Sequence, residues 1–180
     1  MTNDIETIDR ILNGDTESFR LLVDRYERTV VRMISRITGD NHGCEDLAQD
    51  VFLTAFAKLK TFDPARSQFS TWLLTIARNR SINALKKKRP ETIERPPDQI
   101  DPATPLEAAT QREAFASLDR ALLSLPGKQQ RAFVLVEFEG LSYEQAAQVE
   151  GTRTGTIKSR VNRAKNRLIE TLRHYGANDK

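Results

Sequence analysis

Five of the chain's seven prolines fall between residues 90 and 105, at Pro90, Pro96, Pro97, Pro102 and Pro105. Proline has no amide N–H to donate and disfavours helical geometry in the residue before it. The stretch therefore predicts an extended linker over 91–105, with one unit before it at 1–90 and another after it at 106–180. Each unit is near the lower size limit for a self-sufficient core, so docking on a larger partner suits both.

Both units are predicted to be helical, because strand alternation is nowhere sustained. Phe19, Leu22, Val23, Tyr26, Val30, Met33, Ile34 and Ile37 recur at helical spacing up to Gly39. A short helix precedes them from Asp4 to Asn13. Another spans Cys44 to Lys60, with Leu47, Ala48, Val51, Phe52, Ala55 and Leu59 inward. Ser70 is the expected N-cap of a fourth helix ending at Arg89, with Leu73, Leu74, Ala77, Ala84 and Leu85 on its buried face. Beyond the linker, Thr104-Pro105-Leu106-Glu107 supplies a capping box with proline at N1. Leu125-Pro126-Gly127 and Glu139-Gly140-Leu141 punctuate four further helices. The fold class is all-α: two small helical domains joined by a Pro-rich linker.

Charge is distributed in the same pattern. Residues 1–90 hold 15 basic and 12 acidic side chains, 91–126 hold 3 and 7, and 127–180 hold 10 and 6. The net charge of +3 is thus a cancellation between two basic blocks and an acidic tether. The window 76–89 carries six basic groups and no acid, and 152–173 carries seven against Glu170 alone. Two such blocks fit polyanion binding better than two solvated helix faces. One cysteine, Cys44, and two histidines exclude a disulfide framework and leave no set for a soft-ligand metal site. Neither a catalytic triad nor a phosphate-binding glycine loop occurs, so no catalytic residue and no cofactor are expected. No apolar run suits membrane insertion, and acids stand where a secretory signal would be basic, so the expected location is cytoplasmic.

The last helices carry the strongest constellation. Ser142-Tyr143-Glu144-Gln145 is a capping box opening a short helix, Gly151 ends it, and a basic helix follows from Thr154 to Arg173. That is the helix-turn-helix pattern. Ile157, Val161, Ala164 and Leu168 form its buried stripe. Ser159, Asn162, Arg163 and Asn166 lie opposite, flanked by Lys158, Arg160, Lys165 and Arg167. Short hydrogen-bonding groups between cationic shoulders suit a major groove. On the fourth helix, Trp72, Ile76, Asn79 and Asn83 share a face beside Arg80. Asparagine is a weak helix former, so this pair suits base edges, and the aromatic residues Phe62, Phe69 and Trp72 suit stacking on an extruded base. A core position fits Phe69 and Trp72 as well. Asp46 and Asp50 are like charges at i, i+4, a mildly unfavourable arrangement that a basic protein partner would explain.

In combination these motifs resemble the extracytoplasmic-function sigma factors of bacterial RNA polymerase. Asp46-Leu47-Ala48-Gln49-Asp50-Val51-Phe52 is similar to the segment that docks on the polymerase. Phe69-Ser70-Thr71-Trp72-Leu73 and Ile76-Ala77-Arg78-Asn79 resemble the segment that opens and reads the −10 element. Leu125-Pro126, Glu139 to Glu144 and Gly155 to Arg160 resemble the −35-reading domain. The resemblance implies that Asp46, Leu47, Gln49, Asp50 and Leu53 meet core RNA polymerase. It implies that Asn79, Asn83, Trp72, Phe69 and Arg80 serve the single-stranded −10 element. Lys158, Ser159, Asn162 and Arg163 would contact −35 bases, and Arg153, Thr156 and Arg160 mainly phosphates. It further implies an anti-sigma partner. The alternative from the residues alone is an ordinary helix-turn-helix regulator with a helical sensor domain.

Overall fold

The computed structural model describes residues 3–40, 43–88 and 117–177. Every regular element among them is helical. The expected linker over 91–105 and the helix restart at Thr104–Glu107 lie outside the described residues.

In the first unit α1 (Asp4–Leu12) is capped by Asn3, whose side chain accepts from the Ile5 N–H. It is fastened to α2 (Phe19–Thr38) by Asp4, which accepts from both Arg25 and the Tyr26 hydroxyl. Burial, and then the neighbouring Asp4 carboxylate, push the Tyr26 phenol well above its ordinary range. Gly39 ends α2 at φ 67°, a left-handed conformation that suits glycine. The helix α3 (Cys44–Lys58) runs on into a 3-10 turn at Leu59–Thr61, one turn tighter than a continuous helix to Lys60. Cys44 is a buried packing residue.

The fourth helix, α4 (Phe69–Lys88), starts one residue ahead of the expected Ser70 cap. The Trp72 N–H donates to the Gln68 carbonyl, so Ser70 lies inside the first turn. Leu73, Leu74 and Ala77 are buried as expected, while Ala84 and Leu85 are only half-buried.

In the second unit, α5 (117–124) and α6 (Gly127–Phe133) flank the Leu125-Pro126 break, and α6 continues as a π-helical turn over Val134–Phe138. Then come α7 (Tyr143–Glu150) and α8 (Thr154–Ala177). The capping box is formed in both directions: Gln145 N–H donates to Ser142 Oγ, and Gln145 Oε1 accepts from the Ser142 N–H. Gly151 turns the chain at φ 61°, and a Cβ there would meet nothing within 4 Å, so the backbone alone asks for glycine. The stripe Ile157, Val161, Ala164 and Leu168 is buried throughout.

The two units do not stand apart. Leu22, Ile34, Val51, Leu73 and Ala77 of the first join Val134, Leu135, Ala146, Val149 and Ile157 of the second in one contiguous apolar core. A satellite core of Ala121, Leu122, Leu125, Ala164 and Leu168 lies beneath α5 and α8. Across the junction, α7 packs on α4, and α6 with its π turn packs on α2. Two units near the minimum size thus obtain a larger core by burying apolar surface against each other.

Candidate functional site

Polar groups pin this junction at defined points. Gln130 Nε2 donates to the Arg36 carbonyl at 2.8 Å, supplying one of the orphan acceptors at the end of α2. Gln145 Nε2 donates to Gln68 Oε1 at 2.9 Å, and Gln148 Nε2 to the Arg66 carbonyl at 3.4 Å. Two glutamates do more. Glu139, with a side chain 1% exposed, receives Arg36 Nη1 at 3.1 Å and Arg32 Nη2 at 4.0 Å, both from α2. The Arg36 guanidinium also lies 4.1 Å from the Phe138 ring centroid. Glu150, equally buried, receives Arg131 Nε at 2.8 Å, Arg78 Nε of α4 at 3.1 Å and Arg160 Nη1 of α8 at 3.4 Å.

These glutamates escaped the motif search, although each left a signal. Glu150 ends α7 and Glu139 ends the π turn, where the helix dipole disfavours a negative charge. An acid in that position calls for a cationic partner from elsewhere.

Burial raises the Glu139 carboxyl above its ordinary value, and Arg36 and Arg32 only partly offset this. The native state therefore binds this proton more tightly than the unfolded chain does. The contribution to stability is full below the ordinary value near 4.5 and is lost as pH rises through the elevated one. Urea unfolding of the wild type and of Glu139→Gln should show the difference moving in favour of the wild type as pH falls from 7 to 5. A constant difference contradicts the assignment.

The expected DNA-facing residues of α8 are mostly free to act. Lys158, Ser159, Asn162 and Arg163 are exposed. Lys158 Nζ lies 5.7 Å from the Tyr143 ring centroid, and Ser159 Oγ donates to the Thr156 carbonyl at 3.0 Å. Lys165 pairs with Glu137 at 2.9 Å, which holds its ammonium above the ordinary value. Arg153 is exposed, and its carbonyl accepts from the Thr156 and Ile157 N–H groups, so it supplies the turn that starts the helix; Thr156 is half-buried. Arg160 differs from its expected place among the flanking cations: its guanidinium is turned inward to Glu150.

On α4, Asn79, Arg80 and Asn83 are exposed. Asn79 Oδ1 accepts from Arg78 at 2.8 Å, and Arg80 Nη2 donates to Thr54 Oγ1 at 2.6 Å, tying α4 to α3. Trp72 is half-buried, its ring centroid 5.6 Å from Phe62 and 5.7 Å from Phe69. Phe69 corrects the stacking expectation. At 2% exposure, packed against Tyr26, Phe62 and Trp72, it supports the loop from within and has no face to offer a base.

On α3, Asp46, Gln49, Asp50 and Leu53 line one exposed face, with Leu47 half-buried beside them. Leu53 is the most exposed large hydrophobic side chain among the described residues, at 68%. An open cavity of about 300 Å³ lies next to this face, bounded by Asp40, Asp46, Leu47, Asp50, Ala84 and Leu85. Among the described residues no group of three histidine, cysteine or acidic side chains could hold a metal ion, and no helix is long and apolar enough to cross a membrane.

Residues 22–91 match the family Sigma-70 region 2, and residues 111–168 match Sigma-70, region 4. The chain is 39% identical to the ECF RNA polymerase sigma factor RpoE of Cereibacter sphaeroides, over 88% of each chain. It is 32% identical to the RNA polymerase sigma-H factor of Pseudomonas aeruginosa, covering 94% of this chain and 93% of that one. Among solved structures it is similar to RpoE of Bartonella quintana in complex with the anti-sigma factor NepR. That likeness has TM-score 0.71 and 29% identity, and covers 87% of this chain and 98% of that one. Two helical units matching regions 2 and 4 define a transcription-initiation factor of the sigma-70 type. The chain belongs to the ECF RNA polymerase sigma factors.

Proposed function

We propose that this sigma factor joins core bacterial RNA polymerase through the exposed face of α3 and reads a promoter at two places. In this reading residues 1–90 bind polymerase and handle the −10 element, 91–105 link the units, and 106–180 read the −35 element. The observation that carries it is the outer face of α8, where Lys158, Ser159, Asn162 and Arg163 are exposed together with no acid among them. Lys158, Ser159, Asn162 and Arg163 meet base edges there, and Arg153 and Thr156 meet phosphates.

Asn79 and Asn83 hold the unpaired −10 strand, with Trp72 at the edge of the aromatic cluster offering the stacking surface and Arg80 a backbone contact. Each unstacked step costs a few kcal/mol, which the captured bases offset. The protein performs no covalent chemistry in this account and works in the cytoplasm beside the polymerase. An anti-sigma factor is a further partner, as it is for the Bartonella relative.

In vitro transcription with core polymerase and a pool of genomic fragments tests the proposal. Discrete promoter-initiated transcripts are expected; none from a folded protein overturns it, and tight operator binding without polymerase favours the ordinary regulator. Arg163 has no ion-pair partner among the described residues, so Arg163→Ala removes a contact to DNA without disturbing the fold. It should cost about 1–3 kcal/mol of −35 discrimination. Competition between cognate and mutated −35 promoters in holoenzyme binding measures this, and an unaltered preference removes Arg163 from base contact.

A further inference from the structure

Two of the cations that flank the reading face of α8 are tied to carboxylates of their own unit. Arg160 Nη1 reaches Glu150 Oε2 at 3.4 Å, and its side chain is only 18% exposed. Lys165 Nζ reaches Glu137 Oε1 at 2.9 Å. At about 100° per residue, Arg160 lies roughly 60° to one side of Ile157 and Lys165 roughly 80° to the other. The buried stripe of α8 runs between them. Their anchors stand on different elements: Glu150 is the last residue of α7, and Glu137 belongs to the π-helical turn that continues α6. Glu150 is itself fixed by Arg131 of α6 at 2.8 Å, so the tie on that side is complete within the second unit.

This placement bears on how α8 is aimed. Ile157, Val161, Ala164 and Leu168 offer only aliphatic groups, and apolar burial is non-directional. The stripe therefore holds α8 against its neighbours more firmly than it fixes roll about the helix axis. Roll is what matters at a groove. With an outer radius of about 5–6 Å, a helix turned by about 15° carries its outer groups roughly 1.5 Å sideways. A shift of that size takes a hydrogen bond of normal length beyond the range in which it forms. Ion pairs on both sides of the stripe oppose rotation in either direction, because each turn lengthens one of them. We propose that Glu150–Arg160 and Glu137–Lys165 are opposed braces that set the roll of α8, making Glu137 and Glu150 positioning residues for −35 reading by Ser159, Asn162 and Arg163. The proposal rests on the assignment of α8 to the −35 element. It takes Arg160 and Lys165 out of the set of phosphate contacts and gives them an inward task. Glu137 thereby serves discrimination although its own charge is repelled by phosphate.

Binding of holoenzyme to promoter fragments tests this, because a brace and a phosphate contact leave different signatures. Arg160→Met and Glu137→Gln should each lower the preference for the cognate −35 element over mutated ones by roughly 3–10-fold, with the loss spread over several base pairs. A lost phosphate contact instead weakens all sequences alike and reduces the slope of log K against log salt by about 0.9. That slope should change by less than about 0.3 in both variants. Glu137→Gln combined with Lys165→Met should lose no more than either change alone, since each removes the same pair. Both members of that pair are partly exposed, so this arm decides the matter even if Arg160→Met fails to fold. A slope reduced by about 0.9 with the preference intact makes Arg160 a phosphate contact and overturns the braces. So does an unchanged preference in either folded brace variant while Arg163→Ala loses it. An unchanged preference in all three overturns the assignment of α8 to the −35 element, and the braces fall with it.

Discussion

Glu150→Ala is expected to lower the unfolding free energy by about 3–5 kcal/mol, the cost of removing one partner from a buried ionic cluster. The wild-type carboxylate is 1% exposed and pairs with three guanidinium groups, with Arg131 at 2.8 Å the most enclosed of them. Alanine leaves these three cations facing one another around a void, each having lost a charge-assisted hydrogen bond. Glu150→Gln keeps the volume and one acceptor oxygen, and should fall between wild type and alanine. Truncating Arg160 on the rim of the cluster should cost less than either, because Glu150 keeps two partners. Urea denaturation followed by circular dichroism checks the series. A loss below about 1 kcal/mol for alanine places the cluster among interactions of little weight.

Reversing Asp46 and Asp50 to lysine should reduce affinity for core polymerase by about 100-fold or more while leaving the fold intact. The two carboxylates are exposed, one helical turn apart, beside the cavity bounded by Leu47, Ala84 and Leu85. Two lysines at i, i+4 repel about as weakly as two aspartates, and a lysine at 46 in the first turn of α3 opposes the helix dipole by only about 0.3–1 kcal/mol. At an interface the same change sets like charges against a basic partner, a penalty of several kcal/mol. Leu53→Ala should weaken binding by a smaller factor, through lost apolar contact on the same face. Competition for labelled core polymerase measures both variants. A shift under threefold for the double reversal takes this face out of the interface.

Much of the local structure was legible in the chain, for identifiable reasons. Helical periodicity and a glycine stop bounded α2, and a complete capping box with Gly151 bounded α7. The stripe of Ile157, Val161, Ala164 and Leu168 put the acid-free face of α8 outward. Other features were less accessible. Phe69 fits both a stacking role and a core role in sequence, and only the packing of Tyr26, Phe62 and Trp72 around it separates them. Arg160 belongs by spacing to the cationic flank of α8, yet a carboxylate ten residues earlier takes it. The unfavourable helix-end acids Glu139 and Glu150 announced a missing partner without naming it.

From sequence alone came the helices, their buried stripes, the basic and acidic blocks and the two-unit division, because each rests on spacing along one chain. Tertiary structure decided how the units meet and which cations remain available to DNA. The ion pairs of Arg36 with Glu139 and of Arg78 with Glu150 join residues more than seventy positions apart. No periodicity encodes such a pairing. It exists only because two small units bury their apolar faces together and bring those charges into a common low-dielectric junction.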